Sequence, residues 1–548
     1  MRKLAAWLVL GALGAVSVVA QEPLPGTFGE IIEVRVVNIE VVVTDRDGVR
    51  VPDLRPEDFR LKVDGREVPI EYFTEVRGGD AIEVETAEGL AAPEGIPALA
   101  PGSAVGTSYL LFIDDFFAIE RDRDRVLRGL LEDLPQLGEA DRMAVVAYDG
   151  RGLAMLSSWS QSLPALERAL QGALDRPSHG LQRLAERRAN DSERSLVQRP
   201  GFFDRANTPF GERVELSQRA YIERLAEQLQ GSVMAASATL RSFAAPPGRK
   251  VMLLLAGGWP YSPVQYAVDS FQADTLEPDI PRGHRLYEPL IDTANRLGYT
   301  LYPVDVPGLE SEMVDASQAS ADDARLASDT SLNREQEREA TLGFIAKETG
   351  GTALLNGLRQ EAFERVAGDT RSYYWLGFTP TRRGDDQRHR VEVEVLRPGL
   401  RARSREGYQD VSKAREVSMA VESALLFGNP PSSQGLPVQV GKPERRGRSI
   451  VRLPLSIGIP LAALTTVPMD GKRVADLELR LAALDEEGRR SEIPIVPLQV
   501  VVAADAPPDG FVRYETKVEL RRVRQQLVVA IYDRSSGSLL STTLEVQP

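Results

Sequence analysis

Asp114 and Asp115 close the apolar run LLFIDDFFA, and ligands of open α/β sheets bind in the loops that leave the carboxyl ends of the strands. These adjacent carboxylates are therefore the most informative pair in the chain. Asp114 can accept N–H groups of its own loop, and Asp115 can cap the helix that follows. Phe116 and Phe117 come directly after them, and Trp259 and Tyr261 stand at the end of a second apolar run, LLLAGGWPYS. Large aromatics at one sheet end form either a partner surface or a cluster packed on itself. Catalytic chemistry finds less support: there is no GxSxG elbow, no HExxH helix and no Gly-rich Walker loop. The only histidines, His179, His284 and His389, sit in polar stretches and read as solvated rather than as a triad member or a zinc ligand. No spacing singles out an acid/base pair among the many Asp and Glu, so no catalytic residue is assigned. Arg383-Gly384-Asp385 reads as a hairpin turn.

The elements that would position these residues follow from composition and periodicity. With 548 residues the chain exceeds one ordinary core, and 42% hydrophobic and 27% charged residues fit several globular domains. Lys+Arg 66 against Asp+Glu 80 leaves a net charge of -14, the wrong sign for a phosphate-backbone binder, so nucleic acid is not expected as a partner. Residues 1–20 carry Arg2, Lys3 and the run LAAWLVLGALGAVSVVA, the layout of a signal peptide, with an uncleaved anchor as the alternative. No later stretch is apolar enough to span a membrane, and Cys 0 removes disulfides. The expected location is periplasmic or secreted.

Alternating strands at 30–75 and 370–410 form two parts of one β-rich platform, joined in sequence by a Gly/Ala/Pro linker at 76–106 and an α/β segment at 107–369. That segment alternates apolar runs (Leu110–Ile113, Met143–Ala147, Val251–Leu255, Thr300–Val304) with helical patterns, which predicts a mostly parallel sheet, and the run TALL at 352–355 reads as a further short strand. Its polar stretch 175–210 reads as a long loop with Phe202 and Phe203 as candidate anchors. A helix and linker at 411–436 lead to many short strands at 437–548, read as a C-terminal β-sandwich.

The apolar strand ending in Asp114 and the strand and helix order from Ser108 to about Gly368 resemble a von Willebrand factor A (VWFA) domain. Three flanking strings, VVVTDRDGVRVPDLRPEDFRLKVDG, YYWLGFTPT and VEVLRPGLRARSREGY, are similar to those of bacterial VWFA-related proteins of the acidobacterial type. The resemblance covers roughly residues 30–410. It implies a Rossmann-like domain inserted in a β-sandwich platform, with an Asp-x-Ser-x-Ser loop that holds a divalent cation. Here the two Ser positions are Phe116 and Ala118, and Ala256, Gly257 and Gly258 stand where a later acidic ligand belongs. A hard cation needs several oxygen ligands, so no cofactor is expected, with Mg²⁺ or Ca²⁺ at Asp114 and Asp115 as the residual case. The implied function is non-enzymatic recognition of an unidentified envelope or extracellular protein, for which Phe116, Phe117, Trp259, Tyr261, Phe202 and Phe203 are the candidate contacts by residue type and position. The alternatives are a divalent-metal-dependent adhesin and a hydrolase of unknown type.

Overall fold

The computed structural model describes Val16–Ser17 and residues 37–86, 101–198, 209–243, 248–267, 280–307, 321–355, 361–380 and 386–409, with most of 412–547. It is mixed α/β with many sheets, and it divides into two compact units, Val34–Ser412 and Lys413–Pro548 with Met1–Glu33. Of the expected signal peptide only Val16–Ser17 are described, paired in parallel with Val512–Arg513. Phe202, Phe203 and Arg383-Gly384-Asp385 lie outside the described residues.

In the larger unit the first strands are β1 (Val37–Thr44), β2 (Phe59–Val63), β3 (Arg66–Val68), β4 (Tyr72–Arg77) and β5 (Asp80–Thr86). The stretch read as a linker at 76–106 thus holds a strand, because DAIEVET alternates and can pair with β4. There follow β6 (Thr107–Asp114), α1 (Glu120–Asp133), β7 (Arg142–Tyr148), β8 (Leu153–Ser160), α2 (Leu163–Leu174), α3 (Gly180–Gln198) and α4 (Pro209–Ser242). Next come β9 (Arg249–Ala256), α5 (Pro263–Ala267), α6 (His284–Leu297), β10 (Tyr299–Asp305), α7 (Ala321–Glu348) and α8 (Ala362–Thr370). The chain closes the unit with β11 (Tyr373–Phe378), β12 (Arg388–Val395), β13 (Arg401–Arg403) and β14 (Gly407–Gln409).

Strand order in the α/β sheet is β10-β9-β6-β7-β8, parallel except for the edge strand β8. β6, β9 and β10 are buried along nearly their whole length, the consequence of apolar runs covered by helices on both faces. α1 buries Val126, Leu127 and Leu130, one stripe of an otherwise charged helix. α6 stops where Gly298 takes φ 71, a left-handed turn that glycine adopts without a Cβ penalty.

The platform strands form two sheets, β13-β1-β11-β4-β5 and β14-β12-β2-β3. Tyr374 pairs with both Val41 and Glu75, and Val393 pairs with Leu61, so strands from either side of the α/β segment interleave. Alternation explains the layering: Ile39, Val41, Phe73, Tyr374 and Leu376 join Leu61 and Val391 between the sheets, while Val42, Val76, Tyr373 and Trp375 cover the opposite face. In the smaller unit, Ile450–Pro460 pairs with Phe511–Arg521, and Lys472–Asp485 pairs with Val496–Ala503 and Gln525–Asp533. Leu453, Ile457, Leu479, Val529 and Ile531 from both sheets share its core.

The polar stretch 175–210 is not the long loop its composition suggests, since α3 occupies most of it. The run TALL does not become a strand either; within it, Leu354 makes a single bridge to Val304.

Candidate functional site

Asp114 is the last residue of β6, at the carboxyl end of the central strand, and its side chain is fully buried. One oxygen, Oδ1, accepts the backbone N–H groups of Phe116 at 3.1 Å and Phe117 at 3.3 Å. Oδ2 accepts the indole N–H of Trp259 at 2.7 Å. Burial pushes the carboxyl up to about 7, outweighing the pull of these three neutral donors, and the charge on Asp115 adds to the rise.

Asp115 does not cap α1, whose N-cap is Ile119 without a side-chain hydrogen bond. Instead Oδ1 accepts from Arg123 at 2.8 Å and Oδ2 from the Nε–H of Arg176 at 2.8 Å. Arg123 is as buried as the aspartate and also donates to the carbonyls of Arg176 at 3.0 Å and Leu174 at 3.3 Å. The same guanidinium thus neutralises Asp115 and anchors the chain leaving α2.

The aromatic rim expected at this sheet end needs correction. Phe117 and Trp259 are 6% and 1% exposed, so neither offers a surface to a partner. Trp259 stacks on Tyr287 at 5.9 Å with planes 13° apart, and Phe117 meets Phe116 edge-on at 5.0 Å. The hydrogen bond to Asp114 holds the Trp259 indole inward. Tyr261 is half-buried, packed edge-on against Phe344 at 5.7 Å. Phe116 is also half-buried and lies under the guanidinium of Arg183, 4.6 Å from the ring centroid.

The loop after Asp114 is sealed from two sides. A Cβ on Gly257 would stand 2.3 Å from the backbone N of Ala118, and one on Gly180 would stand 2.3 Å from the Ala118 carbonyl oxygen. Gly257, read as part of a missing acidic ligand, thus has a packing role that sequence alone did not reveal. Gly257→Ala is expected to destabilise the unit by about 1–3 kcal/mol through this overpacking, read as a lower midpoint in urea. An unchanged midpoint would show that the loop can yield.

The residues do not fit a divalent cation. Both oxygens of each aspartate already accept hydrogen bonds, two guanidinium groups face Asp115, and positions 116 and 118 supply no side-chain oxygen. Among the described residues no group of three or more His, Asp or Glu side chains converges as a metal site. The histidines are elsewhere engaged: His284 Nε2 lies 3.2 Å from Arg388, and His389 Nδ1 lies 2.7 Å from Asp64 Oδ2. His179 reaches the site through its backbone N–H, donated to the Asp115 carbonyl at 2.8 Å.

No protein-family model matches the chain, and no curated protein matches it. Among solved structures, an aerotolerance-related membrane protein from Bacteroides fragilis NCTC 9343, with multiple mutations to serines, is 10% identical with a TM-score of 0.24. That alignment covers 49% of this chain and 98% of the other. The pilus adhesin SpaC from Lactobacillus rhamnosus GG is 8% identical with a TM-score of 0.26, covering 80% of this chain and 56% of the adhesin. Among the described residues no helix is long and apolar enough to cross a membrane.

Proposed function

We propose that this chain is a non-enzymatic, extracytoplasmic protein-recognition module built on a VWFA-like domain, and that it binds its partner without a metal ion. The observation that carries this reading is the setting of Asp115, whose two carboxylate oxygens face Arg123 and Arg176 rather than open space. A divalent cation there would have to displace both guanidiniums. The VWFA reading itself rests on the sequence resemblance and is supported by the β10-β9-β6-β7-β8 order with Asp114 at the end of the central strand. The extracytoplasmic location rests on the signal-like residues 1–20.

A ligand that binds only the folded state raises stability by RT ln(1 + [L]/Kd), so a cation at ten times its Kd would add roughly 1.4 kcal/mol. Millimolar Mg²⁺ or Ca²⁺ is expected to move the melting temperature by no more than about one degree. Capture of an envelope protein by the chain from residue 21 onward should likewise proceed equally in EDTA and in Mg²⁺. Capture that vanishes in EDTA and returns with the cation would establish the adhesin alternative instead.

A further inference from the structure

The segment from Arg176 to Asn190 packs against the loop after β6 and against α5, and the side-chain hydrogen bonds that tie it there are polar. Every buried side chain of α3 among the described residues is polar, Arg187 and Asn190, while Leu181 on its outer face is 64% exposed. Arg187 donates to the Tyr266 hydroxyl at 3.1 Å and Asn190 to the Ala267 carbonyl at 3.2 Å. Two side-chain contacts also reach the strand-end loop itself, beside the backbone N–H groups of His179 and Gly180 on the Asp115 and Ala118 carbonyls. Arg176 donates Nε–H to Asp115 Oδ2, and Arg183 lies over the Phe116 ring. Arg176 is 21% exposed, whereas Asp115 and Arg123 are fully enclosed, so Oδ2 is the side of the aspartate turned toward the segment.

A carboxylate oxygen and an aromatic face are the two features that a guanidinium recognises, one through charge-assisted hydrogen bonding and the other through the ring quadrupole, and here two adjacent residues supply them, each engaged by its own arginine. A lysine would satisfy the first and lose the planar stacking. We infer that Asp115 Oδ2 and the Phe116 ring form a guanidinium-recognition site, filled in cis by Arg176 and Arg183, which takes an arginine-bearing segment of the partner when the cis segment lifts. The assignment rests on the recognition function proposed above and names its partner chemistry. A tether gives the cis arginines an effective concentration on the order of millimolar, so a ligand in trans competes poorly until they are removed. Among its described residues α3 buries no apolar side chain completely, Leu184 being half-buried, and segments with few buried apolar contacts open at lower free energy than those that bury an apolar stripe.

The test compares wild type with R176Q/R183Q, using N-acetyl-arginine amide as the probe and N-acetyl-citrulline amide as its uncharged match. The double variant should bind the arginine probe saturably and at least about tenfold more tightly than wild type does, with no saturable binding of the citrulline probe. A folded variant that binds neither probe, or both alike, overturns the assignment. Should the variant fail to fold, hydrogen exchange on wild type decides the matter. In about 50 mM guanidinium chloride, well below denaturing levels, amides of residues 176–192 should exchange faster than in equal NaCl. Equal exchange in the two salts overturns the inference. Partner capture stands apart: capture without arginine binding leaves the recognition function and removes this site, and arginine binding without capture does the reverse.

Discussion

Asp369→Asn is expected to destabilise the Val34–Ser412 unit by about 2–3 kcal/mol, because it removes the anionic side of a half-buried charge network and leaves the guanidinium groups of Arg50 and Arg403 without it. Asp369, near the end of α8, accepts from Arg403 on both oxygens at 2.7 and 2.6 Å, from the Tyr302 hydroxyl at 2.5 Å and from Arg50. Arg403 and Arg50 belong to the platform, Asp369 and Tyr302 to the α/β segment. A second tie runs alongside: Arg249 of β9 pairs with Glu40 of β1 at 3.1 Å and lies 4.4 Å over the ring of Tyr373. Burial would raise the Asp369 carboxyl, but Arg403, Arg50 and Arg249 outweigh it and hold it at about 2, against an ordinary 3.8. Between pH 4 and 2 the unfolded chain therefore binds the extra proton, so stability rises with pH across that window and is lost as pH falls through it. The displacement corresponds to on the order of 2 kcal/mol. Urea titrations at pH 7 and down to pH 2 check both parts. An Asn variant within about 1 kcal/mol of wild type, or one whose acid loss is as large as that of wild type, would falsify the clamp.

This network shows what the sequence withholds. The alternation in VNIEVVVT and the apolar run in YYWLGF announce strands, and their periods assign core and outer faces before any contact is known. Glu40, Arg249, Asp369 and Arg403 carry no such signal. They meet only because β1, β9, α8 and β13 do, and a pairing such as Glu40 with Arg249, from elements far apart in the chain, leaves no local trace. α3 is hidden for a related reason: in GLQRLAERRANDSERSLVQ polar and charged residues outnumber apolar ones, and the side chains it buries among the described residues are Arg187 and Asn190. Phe117 and Trp259 are legible as sheet-end residues but not as buried ones, since residue type alone does not say which way an aromatic turns. The charged run ERDRDR at the start of α1 does hold a readable hint, because an arginine in the first turn of a helix can reach back toward an aspartate pair just before it. Arg123 does so.

Asp114 should give the opposite pH dependence to Asp369, and its removal should take away most of it. With its carboxyl at about 7 in the folded protein and an ordinary value of 3.8, the native state holds a proton that the unfolded chain has already released. Native binding exceeds unfolded binding between pH 4 and 7, so the slope of stability on pH is negative there and this contribution flattens above 7. The expected loss is on the order of 4 kcal/mol across the window. Burial beside Asp115 is the cause: the loop N–H groups and the indole of Trp259 offset only part of the desolvation, and the neighbouring carboxylate adds repulsion. Asp114→Asn cannot ionise and keeps one acceptor oxygen, so the decline from pH 4 to 7 should shrink to what Asp115, also raised by burial, contributes, at a cost of about 1–3 kcal/mol at pH 5 where the wild-type group is neutral. Trp259→Phe keeps most of the packing against Tyr287 but withdraws the Oδ2 donor, which makes ionisation harder still. Its decline should therefore extend to higher pH than that of wild type. Denaturation free energies of the three proteins at matched ionic strength decide the matter. A wild-type profile that is flat from pH 4 to 7, or a decline that is undiminished in Asp114→Asn, would place the titrating group elsewhere.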